Sequence, residues 1–195
     1  EYAQKRGLSL SERGIKKGDK LQEFKTEQDF YRALAMDWIP PELREDNGEI
    51  EAALTHQLPK LVETNQIKGD LHLHSDFNIE PSHDLGANSM SDICEKAKSL
   101  GYEYIGFAEH NPSSSMHKDE EAIKLTKAKK ESVEQLMSST KNRGIFVLNG
   151  LEIDIRPDGS LALPERAFEF LDYAIASIHG SFKGPKADQT KRVLR

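Results

Sequence analysis

The chain has 195 residues, 36% hydrophobic and 31% charged, with a formal net charge of −6. That length allows one large domain or two small ones with a real core, and the charge balance excludes a uniformly basic nucleic-acid surface, although divalent cations would reverse the local sign at a cluster of acids and histidines. No apolar run reaches the roughly eighteen residues of a membrane span, Glu1 to Arg13 lack the apolar centre of a secretory signal, and the lone Cys94 excludes an internal disulfide, so a reducing, cytoplasmic setting with no membrane partner is expected.

In chain order, residues 8 to 24 read as a hairpin: Leu8, Leu10 and Ile15 precede the turn Lys17-Gly18-Asp19-Lys20, and Leu21 to Phe24 follow it. Thr26 with Asp29 marks a helix start. Phe30, Ala33 and Leu34 supply its apolar face, and Trp38-Ile39-Pro40-Pro41 is expected to end it. Pro41 to Lys68 is polar and proline-punctuated, with a short helix near Glu49 to Leu54 and Leu58, Leu61 and Val62 as expected anchors. A domain boundary is expected there, dividing the chain into 1–64 and 65–195.

Beyond the boundary the pattern becomes strand, loop, helix, strand, which predicts a parallel sheet with crossover helices, an α/β architecture. The helix from Ser89 to Leu100 has Ser89 and Asp92 as a capping pair, Met90, Ile93, Ala97 and Leu100 on one face with Cys94, and Gly101 beyond its end. A second helix, Asp119 to Thr140, carries acids in its first turn and Lys127, Lys129 and Lys130 further on, which read as a solvated face. Arg156-Pro157-Asp158-Gly159 is a turn, Pro164 opens a short helix through Leu171, and a last helix starts at Lys186 and runs into Arg195. A start at Glu1 and a stop inside that helix give the expectation of a fragment.

Four apolar segments run into histidines or a carboxylate at their C-terminal ends. They are Gly69-Asp70-Leu71-His72-Leu73-His74, Tyr104 to His110, Ile145 to Glu152 and Tyr173 to His179. Alternation along a strand turns His72 and His74 to one face, where they can share a cation. In β/α barrels the functional side chains gather at strand C-termini, and all four ends obey that rule. Imidazole with carboxylate suits zinc, manganese or iron rather than calcium, and Glu152 can bridge two ions. Asp76 and Asp84 both follow the doubled histidine, and spacing does not choose between them. Glu109 is a candidate orienting partner of His110, although strand neighbours face opposite ways. His83 and His117 read as exposed loop residues and His56 as remote from the cluster. Without a GxSxG elbow, a Walker loop or a GxGxxG turn, metal-activated water is the expected nucleophile.

The ordered segments GDLHLHSDF, FAEHN, NGLEIDI and SIHGSF resemble the motifs of a PHP (polymerase and histidinol phosphatase) domain. Ahead of them, GLSLSERGI, TEQDFYRALAMDWIPPELRED and GEIEAA resemble the thumb subdomain of bacterial and archaeal family X DNA polymerases, so the two resemblances span nearly the whole chain. The resemblance implies a distorted β/α (TIM-like) barrel, incomplete in this chain, after a small α+β thumb. It also implies a trinuclear site of Mn2+ or Zn2+, with Mg2+ as a further candidate, and removal of nucleotides from DNA 3′ ends, gapped or recessed. Carried over by motif, His72 and His74 hold one ion, Glu152 bridges it to a second held by His179, and Asp84 with His110 holds a third. Asp84, His110 and Glu152 are then the catalytic set. Asp84 is preferred to Asp76 because His83-Asp84-Leu85-Gly86-Ala87-Asn88-Ser89 resembles the family's step into its next helix, which makes 76–82 an insertion. Later PHP motifs and the polymerase palm are not in the chain, so it is expected neither to polymerise DNA nor to hold every ligand. The competing readings are a histidinol phosphatase-like phosphomonoesterase and a metal-stabilised, non-catalytic DNA-binding domain. Residues 1–64 have 10 basic against 13 acidic side chains, which speaks against a strong autonomous DNA clamp.

Overall fold

The computed structural model describes residues 1–139 and 144–194. It divides into two compact units, Glu1–Val62 and Glu63–Arg195.

In the first unit, β1 (Ser9–Ser11), β2 (Gly14–Lys17) and β3 (Lys20–Gln22) form an antiparallel meander. The expected single hairpin is therefore two. Gly14 makes the extra turn possible: its φ is 139°, and a Cβ there would lie 2.0 Å from the Gln22 carbonyl oxygen. Helix α1 (Glu27–Ala33) starts as read, with the Thr26 hydroxyl accepting from the Asp29 amide at 3.1 Å. It ends earlier than Trp38–Pro41. Ala35 adopts a left-handed φ of 61°, and Leu34 before it and Met36 and Ile39 after it enter a core with Ile15 and with Ala53 of α2 (Glu49–Leu54). Leu58 packs on that core, whereas Val62 is 79% exposed and anchors nothing.

The second unit is a parallel sheet in the order β4 (Gly69–Leu73), β5 (Tyr104–Phe107), β6 (Phe146–Asp154) and β7 (Tyr173–Ser177). The strands run parallel and end on the same side, each joined to the next by a crossover connection. The helices are α3 (Met90–Ser99), α4 (Asp119–Ser138) and α5 (Lys186–Val193), with a 3-10 segment at Glu165–Phe170. Thr140 and Arg195 lie outside the described residues. Cys94 is buried among Met90, Ala97, Ile105, Phe107 and Val147, in the core role its helix position implies, while Leu100 turns out to be 55% exposed at the α3 C-cap.

Curling of these strands into a half-barrel depends on one large side chain and two absent ones. Tyr173 lays its ring against Gly106 and Gly150 and donates its hydroxyl to the Leu71 carbonyl at 2.7 Å, linking β7 to β4. A Cβ at Gly106 or Gly150 would approach the Tyr173 side chain to 2.3 or 2.4 Å, so neither position has room for a side chain. The incomplete barrel expected from the resemblance is the architecture found.

The solvated lysine face expected on α4 needs one correction. Ala122, Thr126, Lys129 and Val133 recur at helical spacing on the buried stripe, and Lys129 is fully buried.

Candidate metal centre

The ends of all four strands bring their polar side chains to one mouth. His72 comes from β4 and His74 from the residue after it. His110 lies beyond β5, where its backbone bridges to Glu152 of β6, and His179 lies two residues past β7. The ladder between β4 and β5 shifts register between Asp70 and Leu73, and the His72 amide is taken by the Asp70 carboxylate at 2.9 Å. This irregularity lets His72 and His74 stack, with ring centroids 5.3 Å apart.

Glu152 is the hub. Its Oε2 lies 2.9 Å from His72 Nε2, 3.3 Å from His74 Nε2 and 3.4 Å from His110 Nδ1, and its Oε1 lies 3.0 Å from His179 Nε2. Burial pushes the carboxyl pKa up, but hydrogen bonds from Ser177 and His72 and the nearby His110 outweigh it and bring the pKa down to about 2. Glu152 is thus an anion at any physiological pH. His110 is shifted the other way for an imidazole: burial lowers its pKa, reinforced by His74, His179 and His83 and opposed by Glu152. A neutral imidazole is the form that ligates a metal.

A second carboxylate, Asp154, escaped the sequence reading. Its Oδ1 accepts from His179 Nδ1 at 2.7 Å and lies 3.1 Å from His83 Nε2. Burial raises the Asp154 pKa, but hydrogen bonding, from His179 above all and from His83, lowers it further than burial lifts it. The signal was available: Asp154 stands two residues after Glu152 on the same strand, the spacing that made His72 and His74 a pair. His83 is the exposed loop residue that was expected, but it leans over the mouth, with its ring 4.5 Å from that of His179 and 4.8 Å from that of His110.

The remaining assignments separate. Asp84 sits at the rim, 89% exposed, with its carboxylate 3.7 Å from His110 Nε2. Asp76 is exposed, and its backbone amide bonds to Asn88. The His117 side chain is only 7% exposed, between Glu80 at 3.2 Å and Glu121 at 3.7 Å, so its reading as a solvent-exposed residue is corrected. His56 pairs with Asp37 within the first unit. The Glu109 side chain does not contact the His110 ring; strand alternation turns it to the other side of the sheet, onto Lys129.

Among the described residues, three sets of side chains meet the spatial requirement for holding a cation: His72, His74 and Glu152; His110, Glu152 and His179; and His83, Asp154 and His179. Within each set one ligand atom per residue lies within 4.8 Å of the others. The chemistry fits as well as the spacing. These are mixed imidazole and carboxylate donors, and His110 Nδ1 is buried with no hydrogen-bond partner, as a nitrogen reserved for a cation would be.

Comparison with known proteins agrees with this arrangement. Residues 70–194 match the model of the PHP domain, and residues 1–45 match that of the DNA polymerase beta thumb. The chain is also similar to "DNA polymerase/3'-5' exonuclease PolX" of Bacillus subtilis (strain 168), with 32% identity over 195 residues. The alignment takes in 99% of this chain and spans about a third of the length of that relative, 32%. Among the described residues no helix is long and apolar enough to cross a membrane.

Proposed function

Because the chain belongs to the PHP-domain family and bears a polymerase thumb ahead of that domain, we propose that it is part of a family X DNA polymerase acting in cytoplasmic DNA repair, with a PHP module that hydrolyses phosphodiesters at DNA 3′ ends. The observation that carries this reading is the convergence of His72, His74, His110 and His179 on the single buried carboxylate of Glu152. Divalent ions, Mn2+ or Zn2+ with Mg2+ as a further candidate, would supply an activated water and neutralise charge on the phosphoryl group. On this reading His72 and His74 would hold one ion, His179 a second and His110 with Asp84 a third, with Glu152 supplying the carboxylate common to the first two.

The chain's own residues prepare that site. Glu152 stays ionised because Ser177 and the surrounding imidazoles favour its charge. Asp154 accepts a hydrogen bond from His179 Nδ1 and so directs Nε2 toward Glu152, the arrangement by which a carboxylate fixes a ligating imidazole. His110 is kept neutral by burial. Asp84 stands at the rim with its carboxylate 3.7 Å from His110 Nε2, where it would join His110 in holding the third ion. The thumb similarity and the similarity to a polymerase/exonuclease support DNA as the partner rather than a small phosphomonoester.

The test is digestion of 3′-recessed DNA by the full-length protein with Mn2+. We expect the double variant His72→Ala, Glu152→Ala to lose at least two orders of magnitude in rate, and unchanged activity would end the assignment. Faster turnover of histidinol phosphate than of DNA would move the protein to the phosphomonoesterase class.

A further inference from the structure

On the side of the sheet that faces α4, a second polar cluster underlies the mouth. Lys129 Nζ meets Glu109 Oε2 at 2.7 Å, with the two side chains 0% and 1% exposed. The same ammonium donates to the Phe107 carbonyl at 3.1 Å, to Asn149 Oδ1 at 3.0 Å and to the Gly150 carbonyl. Glu109 Oε1 in turn accepts from the Ser75 amide at 2.9 Å and from the Ser75 hydroxyl at 2.6 Å.

The positions of these partners give the cluster its meaning. Ser75 directly follows His74, Glu109 directly precedes His110, and Gly150 stands two residues before Glu152. One buried ammonium and one buried carboxylate therefore join the residues just past β4, the end of β5 and the middle of β6, each within three residues of a member of the candidate metal centre. Alternation places the pair on one face of these strands and the imidazoles on the other. A buried ion pair is poor at adding stability compared with well-packed apolar side chains, so its retention here calls for another role.

We propose that Lys129 and Glu109 are positioning residues of the metal centre: the pair sets the mutual spacing of His74, His110 and Glu152, and with it affinity for divalent ions. This rests on the reading of the mouth as a metal site. Neither residue touches the ions. Lys129 acts through the strand carbonyls and Asn149, and Glu109 acts through Ser75 and the backbone that carries His110.

The test separates positioning from packing by measuring Mn2+ affinity and stoichiometry in the full-length protein by electron paramagnetic resonance, alongside thermal unfolding. The double variant Lys129→Met, Glu109→Met replaces the pair with apolar side chains of similar length, so its unfolding temperature is expected to stay close to that of the parent while Mn2+ affinity falls by about 10- to 100-fold. Parental affinity in that folded variant would overturn the proposal. If the double variant does not fold, Ser75→Ala takes its place. It removes one hydroxyl from Glu109 and should weaken Mn2+ binding several-fold with little loss of stability, and an unchanged affinity would again overturn the proposal. The control is His72→Ala, Glu152→Ala. If that variant still binds Mn2+ like the parent, the metal-site reading itself fails; if it loses Mn2+ while the Met pair retains it, only the positioning role fails.

Discussion

At the mouth of the four-stranded sheet five imidazoles crowd around Glu152 and Asp154, whereas under the same strands one ammonium meets one carboxylate. The mouth is an open set. It has more nitrogen donors than carboxylates to receive them, His72 is 45% exposed at its side chain, and His110 Nδ1 has no hydrogen-bond partner. The Lys129–Glu109 cluster is a closed set: the opposite charges are paired, both side chains are buried, and the ammonium gives its protons to Phe107, Asn149 and Gly150 while Glu109 Oε2 faces it as an ion pair. An open set is suited to receiving a cation from outside, and a closed one to holding backbone in place. The two should therefore differ in how much stability the loss of one member costs.

The largest expected effect follows from this. Lys129→Met alone leaves Glu109 buried without its cation and should cost about 3–5 kcal/mol of unfolding free energy. His72→Ala, which removes a half-exposed imidazole from the chelator-treated protein, should cost less than about 1 kcal/mol. Urea unfolding of both variants checks the contrast, and equal losses would erase the distinction between the two clusters.

How much of this was legible beforehand differs along the same lines. The doubled histidine of β4 and the histidine or glutamate ends of the other three strands could be read because strand alternation is a local rule, and the same rule applied once more would have found Asp154. His83 could not be placed: its approach to Asp154 depends on how the loop from Asp76 to Ser82 folds back, and no periodicity encodes that. Lys129 was misread for a related reason. A lysine on an amphipathic helix is ordinarily solvated, and only the tertiary placement of Glu109 makes its burial tolerable. The three-stranded meander was missed because the extra turn at Gly14 follows polar residues that resemble strand ends. Helix α1 ran short of expectation because Ala35 takes a conformation that nothing in its side chain announces. Capping signals at Thr26 and Ser89 held, since they join residues only three apart.

A second prediction sharpens the comparison through pH. Glu152 has a pKa of about 2 in the folded protein against an ordinary 4.5, so its charged form stabilises the fold above pH 4.5, and that contribution is lost as pH falls from about 4.5 toward 2. The shift corresponds to about 3 kcal/mol. In chelator-treated protein the stability difference between the parent and Glu152→Gln should shrink across that window. His110 adds a separate loss that begins higher, below about pH 6.5, because burial opposes its protonation. A difference that stays constant between pH 4.5 and 2 would mean that the imidazoles around Glu152 do not favour its charge.

The smallest effect tests whether stability and cation binding can be separated at all. Ser89 caps α3 by accepting from the Asp92 amide at 3.2 Å and donating to the Asp92 carboxylate at 2.7 Å, and it belongs to neither polar cluster. Ser89→Ala should cost about 1 kcal/mol by leaving a helix-end amide to water. Because α3 packs on the sheet through Met90, Cys94 and Ala97, that loss reaches global stability through the apolar core, with the strand ends left in register. The acid window of Glu152 and the Mn2+ affinity should then match those of the parent in titration and resonance measurements. A fall in affinity comparable to that of the Met pair would show that any loosening of the domain opens the mouth, leaving Lys129 and Glu109 no special part in setting it.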